Sequence, residues 1–316
     1  MQDKYIVPTH TDDSLKAKPT TAPFGYYGAK QNIANKIIQL LPPHHAWVEG
    51  FCGSAALTFA KSPAPIEVIN DADGQIVNLF EQLRDNADEL CRVIALTPYS
   101  REEFLMVRNS TQNGLSPLER ARRFLIATMM TVNSTYGGKY CGFSFSSSYS
   151  RQDKEARVNR WYNLPDRLER VVERLRGVRI ENREACELLE MFADRPATLI
   201  YLDPPYFVKR DHGYVVDAND LEFHSNLLAS CRKARCMILI SGYENDLYSQ
   251  LLRPKDGWSK HTIGTHTRDT SGKDYARTET LWMNNQFLKA QISQKVPIRL
   301  SKKEKSNNKI NPPRKR

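Results

Sequence analysis

The sequence predicts an α/β domain with its chemistry at one edge of a sheet, and three observations predict it. Residues 46 to 71 read as strand, glycine-bearing turn, helix and a second strand ending in an acid, the opening of a nucleotide-type α/β unit. An apolar strand pattern over Thr198 to Leu202 runs straight into Asp203-Pro204-Pro205-Tyr206-Phe207. Strand and helix patterns then alternate as far as Met283. At 316 residues, 40% apolar and 26% charged, the chain suits one large domain or a core domain with an insert.

Each element has its own signal. Ile33, Ile37, Ile38, Leu40 and Leu41 share one helical face, and Pro42-Pro43 end that helix. Ala46-Trp47-Val48 is a short strand, Ala55 to Lys61 the helix after the glycine turn, and Ile66 to Asp71 a second strand. Ile76, Leu79, Phe80 and Leu83 repeat at helical spacing. Ser116-Pro117-Leu118-Glu119 is a capping box with proline at the first helical position, predicting a helix to about Asn133. Residues 134 to 153 are rich in Gly, Ser and aromatics and fit neither a core helix nor a clean strand pair. Leu164, Leu168, Val171, Val172 and Leu175 mark an amphipathic helix. Strands are expected at Val178 to Ile180, Thr198 to Leu202, Met237 to Ser241 and Thr280 to Met283, with a helix near Leu221 to Lys233.

The net charge of +10 is concentrated at one end. Residues 289 to 316 hold ten basic side chains and one acidic one, so the remaining chain is nearly neutral. That stretch is expected to be a disordered basic tail, and residues 1–22 a loose, polar leader. No run approaches the ~20 apolar residues of a membrane span, and Met1 to Ser14 has no apolar signal region. The six cysteines form no CxxC and no disulfide framework, and the seven histidines form no HExxH. We therefore expect reduced thiols, no metal and a cytoplasmic protein.

Three segments carry chemistry. An amine conjugated to a nucleobase is a poor nucleophile, because its lone pair is delocalised into the ring. Two acceptors that take both its N–H protons localise that pair toward an electrophile. Asp203 offers a carboxylate and Pro204 a backbone carbonyl, Pro204 and Pro205 lack N–H groups and have fixed φ, and Tyr206 offers a flat face for a base. The same residues also fit a simple turn leaving a strand. Glu49-Gly50-Phe51-Cys52-Gly53-Ser54 lets a ligand approach the backbone but is no P-loop. Asp71, about 20 residues on, suits a ribose diol. Pro23-Phe24-Gly25-Tyr26-Tyr27-Gly28-Ala29-Lys30 opens a helix with a cation able to hold a carboxylate. Taken alone, the last two segments fit ordinary helix-start turns as well.

In this order the segments resemble the Dam-like, alpha-group DNA adenine N6-methyltransferases, in a phage-type variant. Ile180 to Ala185 resembles the segment upstream of Asp-Pro-Pro-Tyr, and Arg277 to Asn284 the closing strand, so the likeness covers about residues 23 to 285. It implies a Rossmann-like sheet of seven strands, of the S-adenosylmethionine-dependent methyltransferase kind, with a helical target-recognition insert. The catalytic domain would comprise 23–86 and 178–288, and the insert 87–177. The resemblance also implies S-adenosylmethionine as methyl donor, contacted by Tyr26, Lys30, Asp71, Glu184 and Asp203, with Phe51 and Gly53 in the turn beside its methionine part. The chain departs from the family's usual Gly-Gly-Lys at Ala29 and from its usual Asp at Glu184. Residues 133 to 154 fall at the family's recognition module, where Lys139, Arg151 and Lys154 are expected to meet DNA and Tyr136 and Tyr140 to stack or fill the gap left by a flipped base. Double-stranded DNA is the implied partner, with a restriction endonuclease as a possible second one. Methylation of cytosine N4 or of RNA, and a non-catalytic DNA-binding role, are the alternatives. Asp203, where cytosine enzymes more often carry Ser, favours adenine.

Overall fold

Short apolar runs flanked by turn residues build the sheet. The structure, a computed structural model, describes residues 19–26, 28, 30–132, 142–147, 149–206, 220–268 and 274–297. A 3-10 turn (Lys30–Asn32) leads into α1 (Ala34–Ile38), then β1 (Ala46–Glu49), α2 (Ala56–Ala60), β2 (Ile66–Asn70) and α3 (Gly74–Asp85). Helices α4 (Ala87–Ala95), α5 (Arg101–Asn109) and α6 (Pro117–Met129) follow. A small hairpin, β3 (Ser150–Arg151) and β4 (Lys154–Glu155), precedes α7 (Ala156–Tyr162) and α8 (Leu164–Leu175). The chain returns to the sheet with β5 (Val178–Glu181), α9 (Ala185–Phe192), β6 (Thr198–Leu202), α10 (Leu221–Lys233), β7 (Met237–Gly242) and α11 (Asp246–Leu251). It closes with β8 (Ser259–Arg268), β9 (Asp274–Met283) and α12 (Asn285–Ser293).

The main sheet has seven strands in the order β5-β2-β1-β6-β7-β9-β8. The first five are parallel, and β9 runs antiparallel to both β7 and β8. The chain builds outward from β1 through β2 to β5, then starts again at β6 on the other side of β1. That reversal opens a crevice at the carboxyl ends of β1 and β6, where open α/β sheets hold their ligands. Strands β1, β6 and β7 are buried along their whole length, as strands covered on both faces must be. Trp47, Leu199, Tyr201, Met237 and Leu239 face α1 and α12, while Val48, Ile200, Leu202, Ile238 and Ile240 face α9, α10 and α11.

The helices between residues 87 and 177 bury their apolar faces in one cluster with α2, α3 and Ile69. A buried ionic joint adds to that packing. Arg174 of α8 pairs with Glu67 of β2 and donates to the Thr58 carbonyl at 2.8 Å, while Lys61 meets the other oxygen of Glu67 at 2.7 Å.

Several expectations are corrected. The capping box is only half formed: Ser116 accepts from the Glu119 N–H at 3.2 Å, but Glu119 turns its carboxylate to Arg122 and Arg123. The helix ends at Met129 rather than near Asn133. Strand β8 has no apolar run to announce it, since it is an edge strand whose pairing with β9 supplies its order. Residues 280 to 283 are only the inner end of β9, and its outer half pairs with β8 beyond the reach of β7. The basic tail does not begin at 289, because α12 continues to Ser293, buries Ala290 and anchors Gln291 to the Leu40 carbonyl at 2.8 Å. Residues 298–316 and 1–18 lie outside the described residues, as do Tyr136, Lys139 and Tyr140. Within residues 150–155 there is a hairpin after all, turned by Gln152 and Asp153 at φ 50° and 59°.

Among the described residues, no helix is long and apolar enough to cross a membrane. Five cysteines are unpaired there, with Cys52, Cys231 and Cys236 buried.

Candidate active site

The turn after β1 is a cradle that tolerates little extra volume. A Cβ on Gly50 would stand 2.8 Å from Leu202, and one on Gly53 3.0 Å from the Tyr26 ring, with Gly53 already at φ +48°. Asn70, buried at the end of β2, ties three strand ends together. Its amide donates to the Gly50 and Arg183 carbonyls at 2.9 and 3.0 Å, and its oxygen accepts from the Arg183 N–H at 2.9 Å. Ala55 is held in the left-handed region at φ 52°, an uncommon strain for a residue with a side chain.

Asp71 follows β2 and faces this cradle. Its two oxygens accept from the Gly53 and Asp73 N–H groups at 2.8 and 3.0 Å. Burial pushes its pKa up from 3.8 to about 6, against the pull of those donors. Glu49, at the end of β1, is likewise buried. It accepts from the Thr58 N–H at 2.9 Å and from the Thr58 hydroxyl, yet burial lifts it to about 7.

Asp203 follows β6 at the crevice. Lys30 donates to one of its oxygens at 2.5 Å, and the Ser241 hydroxyl donates to the other at 2.9 Å. Tyr201 hydrogen-bonds Ser241 from behind at 2.7 Å, and Lys30 also donates to the Gly28 carbonyl at 3.0 Å. Glu279 of β9 lies 3.8 Å from Lys30 and accepts from the Tyr206 hydroxyl with both oxygens, at 2.8 and 3.0 Å. Burial is the main cause that raises Glu279 to about 7, with Asp203 adding to it and Lys30 opposing. Burial alone would lower Lys30, but the carboxylates of Asp203 and Glu279 overcome it and hold the ammonium's pKa up. The Tyr206 ring lies 4.4 Å from that of Tyr243 and 5.1 Å from the Lys30 ammonium. Burial and the neighbouring carboxylates keep its hydroxyl protonated.

These parts surround one cleft of about 860 Å3, part of it open to solvent. Tyr26, Lys30, Phe51, Gly53, Asp71, Glu184, Asp203 and Pro205 all line it, from five separate stretches of the chain. Glu184 is exposed at the start of α9 and makes no capping bond. Pro204 is buried just behind the cleft, and Tyr206 sits beside it over Glu279. Arg151 and Lys154 are on the hairpin, and neither lines the cleft. Sequence reasoning gave no role to Glu49, Ser54, Asn70, Phe223, Ser241, Tyr243 or Glu279. One of these had a signal: Glu49 is an acid closing an otherwise apolar strand, and a buried charge demands a partner. Ser241, Tyr243 and Glu279 reach the site only because β7 pairs with β6 and β9 with β7, while Ser54 and Asn70 come from the β1 turn and the end of β2 and Phe223 from α10.

The sheet order and the position of the acids at its edge are those of a methyltransferase fold. The chain matches the D12 class N6 adenine-specific DNA methyltransferases over residues 26–263, most of its length, and belongs to that family. It is 26% identical over 199 residues to the Type II methyltransferase M1.LlaDCHI of Lactococcus lactis subsp. cremoris, covering 60% of this chain and 68% of that protein. Two solved structures overlap more loosely. Precorrin 8w decarboxylase of Methanobacterium thermoautotrophicum aligns at 8% identity, 80% of this chain, 89% of that one and a TM-score of 0.32. A SAM-dependent methyltransferase of Agrobacterium tumefaciens aligns at 18% identity, 41% of this chain, 46% of that one and a TM-score of 0.25. Neither likeness is close enough to carry an argument. The chain is thus an adenine-specific DNA methyltransferase with the seven-stranded sheet expected of one.

Proposed function

We propose that the cleft binds S-adenosylmethionine and that Asp203 and Pro204 present the adenine N6 amine to it. The residues present fit the cofactor. Ser54 lines the cleft with a buried hydroxyl that has no partner among the described residues. The glycine cradle leaves the backbone bare where a Cβ would clash. Asp71 retains lone pairs beyond its two backbone donors, since a carboxylate offers about four acceptor sites. When bound, S-adenosylmethionine supplies a methyl group on a sulfonium whose sulfur leaves neutral.

On this reading Asp71 accepts from the ribose hydroxyls, and Gly53 and Phe51 flank the methionine part. Glu184, at the mouth, is placed toward the adenine of the cofactor. Asp203 acts as a hydrogen-bond acceptor more than a base: the amine lone pair forms the new N–C bond as the S–C bond breaks, and the cationic methylated amine then loses its proton to solvent, so no strong base is needed. Lys30 and Ser241 fix its carboxylate in one orientation and leave lone pairs for one amine proton. The Pro204 carbonyl, which accepts no hydrogen bond among the described residues, takes the other. Glu279 holds the Tyr206 hydroxyl and so orients the ring on which the flipped adenine stacks. Positioning supplies much of the rate. Residues 133 to 154 serve target recognition, and the residues after 297 serve as a non-specific DNA arm. By analogy with its Type II relative, the enzyme would protect DNA from a partner endonuclease.

The observation that carries this reading is the Asp203 carboxylate at the carboxyl end of β6, at the cleft, held by Lys30 and Ser241. The test is transfer of tritiated methyl from S-adenosylmethionine to duplex DNA, followed by nucleoside analysis. Label in N6-methyladenine is expected. Label in N4-methylcytosine, in RNA alone or in neither would displace it.

A further inference from the structure

Beside the hairpin lies a second groove, of about 1290 Å3. Its lining contains Arg151, Arg157, Arg160, Arg167 and Arg170, and no Asp or Glu. Arg157 and Arg160 are one turn apart on α7, and Arg167 and Arg170 one turn apart on α8. Other half-buried or buried arginines have polar partners: Arg122 and Arg123 meet Glu119, Arg174 meets Glu67, and Arg120 donates to the Asn78 side-chain oxygen at 3.1 Å. The four helical arginines of the groove have no carboxylate partner among the described residues.

Arg160 and Arg167 are half-buried. The Nε of Arg167 is fully buried without a partner, and its Nη2 reaches only the Met129 sulfur at 3.9 Å. Burial, with the like charges of Arg160 and Arg170, lowers its pKa to about 10, so it is still a cation at neutral pH. Arg160 is lowered by burial and by Arg157. Desolvated cations pressed against one another are costly unless an anion joins them.

We propose that this groove is a backbone track for duplex DNA, in which Arg160 and Arg167 clamp one phosphate and Arg157 and Arg170 meet its neighbours. The inference rests on the reading of DNA as substrate. A row of cations along two consecutive helices suits an extended polyanion better than a single small anion, and guanidinium suits phosphate. Phe145 and Tyr149, 61% and 57% exposed, line the hairpin end of the groove and offer faces to sugars or bases. Thr21 lines the groove and Tyr26 lines the cleft. Five residues of extended chain span at most about 17 Å, so a strand held in the groove passes within that order of distance of the cleft.

The test is binding of a random-sequence duplex at several salt concentrations. Arg160→Gln/Arg167→Gln should weaken it about tenfold or more, and flatten the slope of log affinity against log salt by about 0.9 for each lost phosphate contact. Arg157→Gln/Arg170→Gln, at exposed positions, should flatten it too, so the result does not depend on the half-buried pair tolerating substitution. Arg160→Lys/Arg167→Lys should restore the slope. Calorimetry with S-adenosylhomocysteine should give unchanged affinity in all variants. Wild-type slopes in both Gln variants, with methyl transfer to DNA by the wild type, would overturn the groove and spare the functional reading. Lost salt dependence in the variants, with no methyl transfer by the wild type, would support the groove and overturn that reading. A larger loss on duplex RNA than on DNA would overturn the choice of partner.

Discussion

Asp71 is a buried carboxylate with two backbone donors and lone pairs left over toward the cleft. Asp71→Ala should cost cofactor binding about 1.5–3 kcal/mol, roughly ten- to a hundredfold, measured by calorimetry with S-adenosylhomocysteine. Affinity in the wild type should also fall as pH drops through about 6, where this carboxyl protonates and stops accepting from the ribose. Unchanged affinity in the variant would move the cofactor elsewhere. Asp203 belongs to the chemistry itself. Asp203→Ala should abolish methyl transfer to plasmid DNA in steady-state assays, and a variant keeping more than about a tenth of the rate would remove Asp203 from the mechanism. Glu49 acts on stability instead. Its folded pKa of about 7 stands above the ordinary 4.5, so the folded state binds a proton that the unfolded state releases. Its contribution is therefore full below about 4.5 and is lost as pH rises toward 7, at up to about 1.4 kcal/mol per pH unit. Glu49→Gln should remove that dependence. The stability of wild type relative to the variant, from urea unfolding, should be greater at pH 5 than at pH 8, and a constant difference would show that Glu49 titrates normally.

At the scale of elements, α8 is joined to the sheet by a charge rather than by packing alone. Arg174 reaches Glu67 on β2 and the Thr58 carbonyl on α2, all buried. Burial would raise the pKa of Glu67, but Arg174 and Lys61 overcome it and hold the carboxyl ionised. Removing one partner of a buried pair leaves the other exposed to the low dielectric. Arg174→Met should destabilise the fold by about 3–5 kcal/mol, read as a lower urea midpoint at unchanged slope. A loss below about 1 kcal/mol would mean that Lys61 alone suffices for Glu67. The amphipathic stripe of α8 was plain in the sequence, because 3.6-residue periodicity is local. That its arginine crosses to Glu67, 107 residues away, was not.

For the whole molecule the charge distribution matters most. Residues 298–316 carry eight basic side chains and one acidic one, all beyond α12. Deleting them should weaken duplex binding about equally for every sequence and flatten the salt slope, while target choice and cofactor affinity survive. Deleting from 289 would instead cut α12, remove the buried Ala290 and uncover Phe287, so that truncation should also lower thermal stability. Binding and melting curves of the two truncations separate the effects. A changed target sequence after the shorter deletion would take recognition away from residues 133 to 154.

The sequence by itself determined the sheet's central strands, the glycine turn, Asp71 and the Asp-Pro-Pro-Tyr edge. Each rests on neighbours in the chain: an apolar run, glycines between a strand and a helix, an acid at a strand end. Their order along the chain was enough to identify the family resemblance. Only the tertiary structure decided that Lys30 and Ser241 share Asp203, that Glu279 holds Tyr206, and that four arginines without acids line one groove. The first two relations join residues 38 to 173 positions apart, and the third needs two helices packed side by side with no acid facing them. They depend on which strands lie side by side and on which charges lose their water, and neither is written in local periodicity.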